Sequence, residues 1–449
     1  STSETNTSVR KSSVKTIKTF FILLIIATLA AGSYFYFHDT NGPQIQLQPR
    51  TGAINKSTPL VVTINDEGSF IAHLSITIVQ NSKQLEVANI NYTDNRRSAS
   101  ETIDISELLL KDGAISVNIS CSDSSVYNFG KGNTNAATFN LLLDNRPPVI
   151  AVLSNAHNLN FGGAGLVVYS IAEPVTQSGV QIGEHFFPGH QQPSGDYMCL
   201  FAFPYDSDRN AVPRIVANDE AGNKGVGGFY YHVNQRHFKV DQINISDRFL
   251  NSKMPQFQAK FPDAHSPLDI FLSVNRVLRP QNRAWLSEVA SKTDDMFTWN
   301  KSFLRQPNSA TRATFGDLRN YVYAGKKIDQ QTHLGVDLAS TARAQVPATN
   351  SGRVVFSDFM GIYGQCLIID HGLGLQTMYA HLSTMDVNVG DQVDRGQIIG
   401  RTGATGLAGG DHLHFGIIIA GVPVNPIEWW DKNWVKNNIT SKLAINSQQ

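Results

Sequence analysis

Apolar and polar residues change rhythm several times along the chain, and each change predicts a different element. Thr19 to Phe37 is a 19-residue stretch without charge, with Phe20 to Ala27 as its apolar centre. As a helix, that length crosses the ~30 Å hydrocarbon core of a bilayer. Arg10, Lys11, Lys15 and Lys18 precede it and Asp39 follows. The positive flank is expected on the cytoplasmic side and everything after Asp39 outside. A cleaved leader processed at Ala30-Ala31-Gly32 is the competing reading. Tyr34 to Phe37 carry the apolar run past that point, which favours an uncleaved anchor.

Beyond the anchor the pattern turns strand-like. Leu60 to Ile64, Leu74 to Val79 and Ile115 to Ile119 show β-branched enrichment or period-two alternation, broken by Gly, Asn, Asp and Ser clusters. A weak repeat runs through this part. Pro43 to Leu47 recurs in form at Pro148 to Val152, and Phe139 to Leu143 at Phe229 to Val233. Two tandem β-sandwiches are expected, 43–146 and 147–236, joined at Arg146-Pro147-Pro148, where a proline pair cannot continue a central strand. The turn Asp219 to Asn223 resembles a late turn of bacterial immunoglobulin-like domains.

A helical rhythm follows. Ser246 suits an N-cap, Pro267 to Leu278 place Leu268, Phe271, Leu272, Asn275 and Leu278 on or near one face, and Pro280 suits the start of a further helix reaching Val289. Residues 237–298 are therefore expected to be a helical connector. From Trp299 strands return: Arg353 to Phe356, Cys366 to Asp370, Gln376 to His381, Gln397 to Arg401 and His412 to Ala420, separated by glycine turns. The expectation is a mainly β chain: an anchor at 19–37 after a cytoplasmic tail 1–18, two sandwiches, the connector, an all-β domain 299–435 and a tail 436–449.

Composition narrows the function classes. Lys+Arg (37) equals Asp+Glu (37), so no global basic field attracts nucleic acid. Cys121, Cys199 and Cys366 are odd in number and far apart. They give neither a disulfide framework nor a cysteine zinc site.

The chemistry concentrates in the last third. His333-Leu334-Gly335-Val336-Asp337 and His412-Leu413-His414 have metal-site spacing. Side chains two apart on a strand point the same way, so His412 and His414 can address one volume. His333 and Asp337, four apart, would be roughly 13 Å distant on a straight strand, so a bend at Gly335 or a helical turn must bring them together. Two imidazoles and a carboxylate are the ligand count of a catalytic zinc site with an open position. Taken singly, each residue is better read as ordinary: His381 or His371 as a surface histidine, Asp337 as a turn, His412 and His414 as packed sheet residues. Their joint occurrence beside glycine-rich strands favours the metal.

The His-x-x-x-Asp motif, then Tyr379-Ala380-His381-Leu382, then Gly409-Gly410-Asp411-His412-Leu413-His414-Phe415, resembles the lysostaphin-type (LytM-like) zinc metallopeptidases. The likeness runs from about Thr314 to Trp430 and includes His371 to Gly374 and Gly390 to Val393. It implies a small antiparallel β-barrel or sandwich of the duplicated hybrid motif type. One Zn2+ per chain would be held by His333, Asp337 and His414, with His381 and His412 as catalytic residues beside the reacting carbonyl. It also implies peptidoglycan as substrate; with the anchor read above, the chain is expected in the inner membrane through one N-terminal helix, its bulk periplasmic or extracytoplasmic. The rival is a non-catalytic wall regulator that activates amidases; the complete ligand set argues for the enzyme. Protein regulators are a further expected partner class, including one that frees a groove occluded by upstream segments. Glu184 to His190, Cys366 with His371, and the tail aromatics Trp429, Trp430 and Trp434 are read as structural.

Overall fold

The computed structural model describes residues 8–299 and 301–443. The start of the expected tail 1–18 and the end of 436–449 lie outside the described residues. Helix α1, Ser8–Phe37, contains the stretch Ile17–Phe37 with mean hydropathy 2.1 and none of it buried. Among the described residues it is the one helix long and apolar enough to cross a membrane.

Contacts divide the chain into two units, Ser1–Arg146 with Glu220–Asn223, and Pro147–Asp219 with Lys224–Gln449. In the first, a three-stranded sheet (Gln44–Gln48, Leu60–Asn65, Ser98–Ile103) and a five-stranded sheet share one apolar core. Period-two alternation explains why. Leu74, Ile76 and Ile78 of the strand Ile71–Gln80 point inward with Ile115, Val117 and Ile119 of Gly113–Asp123, and Ile76 pairs with Ile119.

The second unit begins with two four-stranded sheets and a two-stranded one between Ile150 and Asn234. The repeat in the sequence carries over in part into pairing. Leu142 and Leu143 pair in parallel with Ala53 and Ile54, as Tyr231–Asn234 pairs in parallel with His157–Asn160, whereas only the first run belongs to a ten-residue strand that is also antiparallel to Gly113–Asp123. Leu159, Phe201 and Phe203 belong to the same continuous core as Phe303, Phe415 and Trp429 of the C-terminal region.

The connector opens with a strand, β1 (Val240–Asn244), and continues through helices α2 (Asp247–Lys253), α3 (Pro267–Ser273) and α4 (Arg279–Ala290). Ser246 caps α2 as its sequence suggests, its hydroxyl accepting from the Phe249 N–H at 3.2 Å. Pro280 does not start a separate helix. A π-helical turn, Val274–Leu278, joins α3 directly to α4. The widened turn accommodates the N–H that proline lacks and the carbonyl its ring would strike. Leu250, Phe257, Ile270 and Val274 pack against Ile368, Met378 and Ile418, so the connector covers one face of the C-terminal sheet.

That sheet is antiparallel. Its central strands run β4 (Val336–Ala339), β8 (Leu413–Ile419), β7 (Leu375–Leu382), β6 (Gln365–Asp370), β5 (Gly352–Phe359) in space. Ahead of it, β1 pairs parallel with β2 (Leu318–Tyr323), which forms a hairpin with β3 (Lys326–Thr332). The architecture is mainly β, as expected.

The expected tail is a structural element over its described part. Residues 436–443 are helical, Ile439 is fully buried, and Lys442 Nζ donates to the Leu166 carbonyl at 2.9 Å. Val435, Ile439 and Leu443 fall four apart, which makes one apolar face for the core. Nearby, Glu428 is buried, accepting from Asn160 Nδ2 at 2.6 Å and the Ala164 N–H at 3.1 Å. Burial pushes its carboxyl up to about 7, against the opposing effect of those two donors and the Arg236 charge. The folded pKa lies above the unfolded one. The associated stability is therefore full below about pH 4.5 and lost as pH rises through 7, a swing of roughly 3 kcal/mol. Glu428→Gln should be more stable than the native chain at pH 8 by up to that amount and match it at pH 4. Chemical unfolding at the two pH values checks this.

Candidate active site

Strand register brings the predicted residues together. Asp337 on β4 is paired directly with His414 on β8, and His414 in turn with Ala380 on β7. His333 follows β3, and a bend at Gly335 leads into β4. The bend closes the 333–337 separation: His333 Nε2 lies 2.9 Å from Asp337 Oδ1 and 3.1 Å from His414 Nδ1, and His414 Nδ1 lies 2.9 Å from the same oxygen. His412 Nε2 is 3.6 Å from Asp337 Oδ1, so His412 and His414 share a face. The ring centres of His381 and His412 are 4.9 Å apart.

Backbone carbonyls fix the rings. His333 Nδ1 donates to the Thr314 carbonyl, His381 Nδ1 to Thr405 and His412 Nδ1 to Gly410, at 2.8–2.9 Å. In the neutral ring, each donation leaves the lone pair on Nε2, which can take a cation or a proton. Thr314 is itself held by Asp317, whose carboxylate accepts from its N–H and hydroxyl at 2.7 Å. His381 sits at a bulge between β6 and β7 with φ +62°, a region sparsely used by residues with a Cβ. Local strain at this position turns the imidazole out of the strand alternation and into the cavity.

Gly335 does more than bend the chain. A Cβ there would lie 2.5 Å from His414 Nε2 and 2.8 Å from the Phe415 carbonyl. Gly335→Ala should therefore displace the His414 ring and weaken metal binding roughly 10- to 100-fold, the effect of disturbing a ligand's support. A competition titration with a chelating dye measures it, with unchanged circular dichroism as the fold control.

The charges are set by crowding. Burial alone would raise the Asp337 carboxyl, but His333, His412 and His414 outweigh it and hold it well below the usual range. Burial, aided by His412 and His414, holds His381 well below the usual histidine value, and burial brings His414 to about 4. Burial acts against a charged His412 too, yet its bond and attraction to Asp337 raise it. Arg319 donates to Asp337 Oδ2 at 2.8 Å, which leaves Oδ1 to the histidines. Arg319 escaped the sequence reading. The available signal was a cation placed two residues before Tyr321 on the same face of β2.

The donor set fits a divalent cation. Three donor atoms from His333, Asp337 and His414 converge, and their 2.9–3.1 Å separations approach the about 3.3 Å spacing of a tetrahedral zinc site. These residues line a cavity of about 280 Å³ whose remaining wall is largely apolar, including Ile245, Phe249 and Phe271 from the connector.

The other candidates stay apart from it. His371 is fully buried, bonded to the Ser351 carbonyl at 2.7 Å and to Thr377 at 2.8 Å. Cys366 is buried and its thiol pushed up by burial, the opposite of an activated nucleophile. His190 bonds Asp295 at 2.9 Å while His185 faces Asp206 at 3.8 Å, so the two do not converge. Trp429 is fully buried in the core.

The cluster thus lies at one cavity of an antiparallel β-domain. Residues 331–426 match the family described as Peptidase family M23, and the chain carries an M23 peptidase domain in its C-terminal part. Over 95 residues it is 40% identical to the DD-carboxypeptidase/endopeptidase Mpg of Neisseria meningitidis serogroup B, covering 21% of this chain and 22% of that one. Over 96 residues it is 38% identical to the peptidoglycan DD-endopeptidase ShyA of Vibrio cholerae, 21% and 22% of the two chains. It is also 34% identical over 95 residues to the murein hydrolase activator EnvC of Escherichia coli, 21% and 23%. The chain thus spans about a fifth of the length of the curated relatives it matches.

Proposed function

We propose that this chain is a membrane-anchored zinc metallo-endopeptidase that hydrolyses peptide bonds of bacterial peptidoglycan during wall growth or remodelling. The observation that carries the reading is the convergence of His333 Nε2, Asp337 Oδ1 and His414 Nδ1 beside two further histidines. The zinc ion held by those three atoms would supply Lewis acidity, bringing water's pKa to about 7 and polarising a carbonyl. Asp337 and Arg319 keep the cluster's charge balanced, and the bond from Arg319 to Oδ2 orients the carboxylate. His381 and His412, both with Nδ1–H committed to backbone carbonyls, present Nε2 to hold and move the proton between nucleophile and leaving amine. The apolar cavity wall excludes water around the reacting peptide and strengthens these interactions.

The substrate reading is supported by the peptidoglycan-acting names of the relatives. Placement outside the cytoplasm is supported by α1 and its basic flank. The EnvC match keeps a non-catalytic regulator as the second reading; the intact donor set favours the peptidase. The test is incubation of purified wall sacculi with the full chain in detergent and zinc, followed by mass spectrometry of released muropeptides. New amino termini at a stem-peptide cross-link support the enzyme. Unchanged sacculi with stimulated amidase activity support the regulator.

A further inference from the structure

The cavity beside the His/Asp cluster has two cations on its wall, Arg319 and Arg279. Arg319 is committed to Asp337. Arg279 has no carboxylate within ion-pair distance among the described residues. Its Nε and Nη2 both donate to the single oxygen Asn275 Oδ1, at 3.3 and 3.1 Å. A guanidinium carries five N–H donors, so the rest of its fork is uncommitted there.

Its placement is built rather than incidental. Arg279 begins α4 immediately after the π-helical turn Val274–Leu278, a distortion often found at functional sites. Asn275, on that turn, is fully buried and holds the guanidinium from behind, while its own Nδ2 is without a partner. The result is a half-buried cation facing an otherwise largely apolar cavity wall. A planar fork in such a place suits bidentate binding of a carboxylate.

We infer that Arg279 recognises a free carboxylate of the peptide substrate in the cleft and makes the site prefer an acid to an amide at that position. The inference rests on the peptidase reading for the nature of its ligand, but it is tested by binding, which requires no turnover. The probes are N-acetyl-D-alanyl-D-alanine and its C-terminal carboxamide, titrated calorimetrically into the full chain in detergent with zinc present. The native chain should bind the acid roughly 10- to 100-fold more tightly than the amide, the range of a charge-assisted pair. Arg279→Gln should lower acid affinity to the amide's level and leave the amide unchanged; Arg279→Lys should keep part of the preference. Equal native affinities, no binding of either probe, or a preference that persists in Arg279→Gln would overturn the inference. Digestion of sacculi reports separately on the peptidase reading, so the two can fail independently.

Discussion

His414→Ala should reduce bound zinc to trace levels and peptidase activity to background while the β-domain stays folded. His414 Nδ1 is one of three converging donors, and the ring lies between β4 and the His381 side of the cavity. Removing it leaves His333 and Asp337, a two-donor set too poor to retain the ion at neutral pH. The same outcome is expected for His333→Ala. Asp337→Ala adds a structural cost, because Arg319 is then left as an unpaired, largely buried cation. Metal analysis by mass spectrometry, with activity on sacculi measured beside it, checks the series.

The second large effect separates metal from catalysis. His381→Ala and His412→Ala should each cut the turnover number by about 10²- to 10⁴-fold, the usual contribution of positioned acid–base groups, with zinc content close to native. Neither ring belongs to the converging donor triad, and both spend Nδ1–H on backbone carbonyls. The double variant should lose less than the product of the two single losses, since residues that act on one proton do not contribute independently. Steady-state kinetics on a cross-linked muropeptide, with zinc stoichiometry for each variant, provides the comparison.

Much of the site was legible because strand periodicity is a local property. The spacing His412-Leu413-His414 placed two imidazoles on one face before any pairing was known, and β5 to β8 fall within a few residues of their predicted windows. Gly335 signalled the bend that the 333–337 separation required, but its second role, leaving room for the His414 ring, depends on a residue 79 positions away. The carbonyls of Thr314, Thr405 and Gly410 left no trace in the sequence, because any residue type offers a backbone carbonyl. Arg319 and Arg279 were not singled out by the sequence, because their place on the cavity wall depends on how β2 and α4 are set against it. The connector's amphipathic helices were readable, though not the face of the sheet they cover. The repeat was informative at its C-terminal end, since the apolar runs from Phe139 and Phe229 both make a short parallel pairing, while the long antiparallel pairing of the first depends on a neighbouring strand the repeat did not show.

The central claim is that His333, Asp337 and His414 together hold one catalytic zinc ion. Its most direct test is a crystal structure of the zinc-loaded chain with anomalous data collected on both sides of the zinc edge. The account predicts a single strong peak within about 2.0–2.2 Å of His333 Nε2, Asp337 Oδ1 and His414 Nδ1, with one position open to solvent. Anomalous density elsewhere with none at this cluster would contradict it.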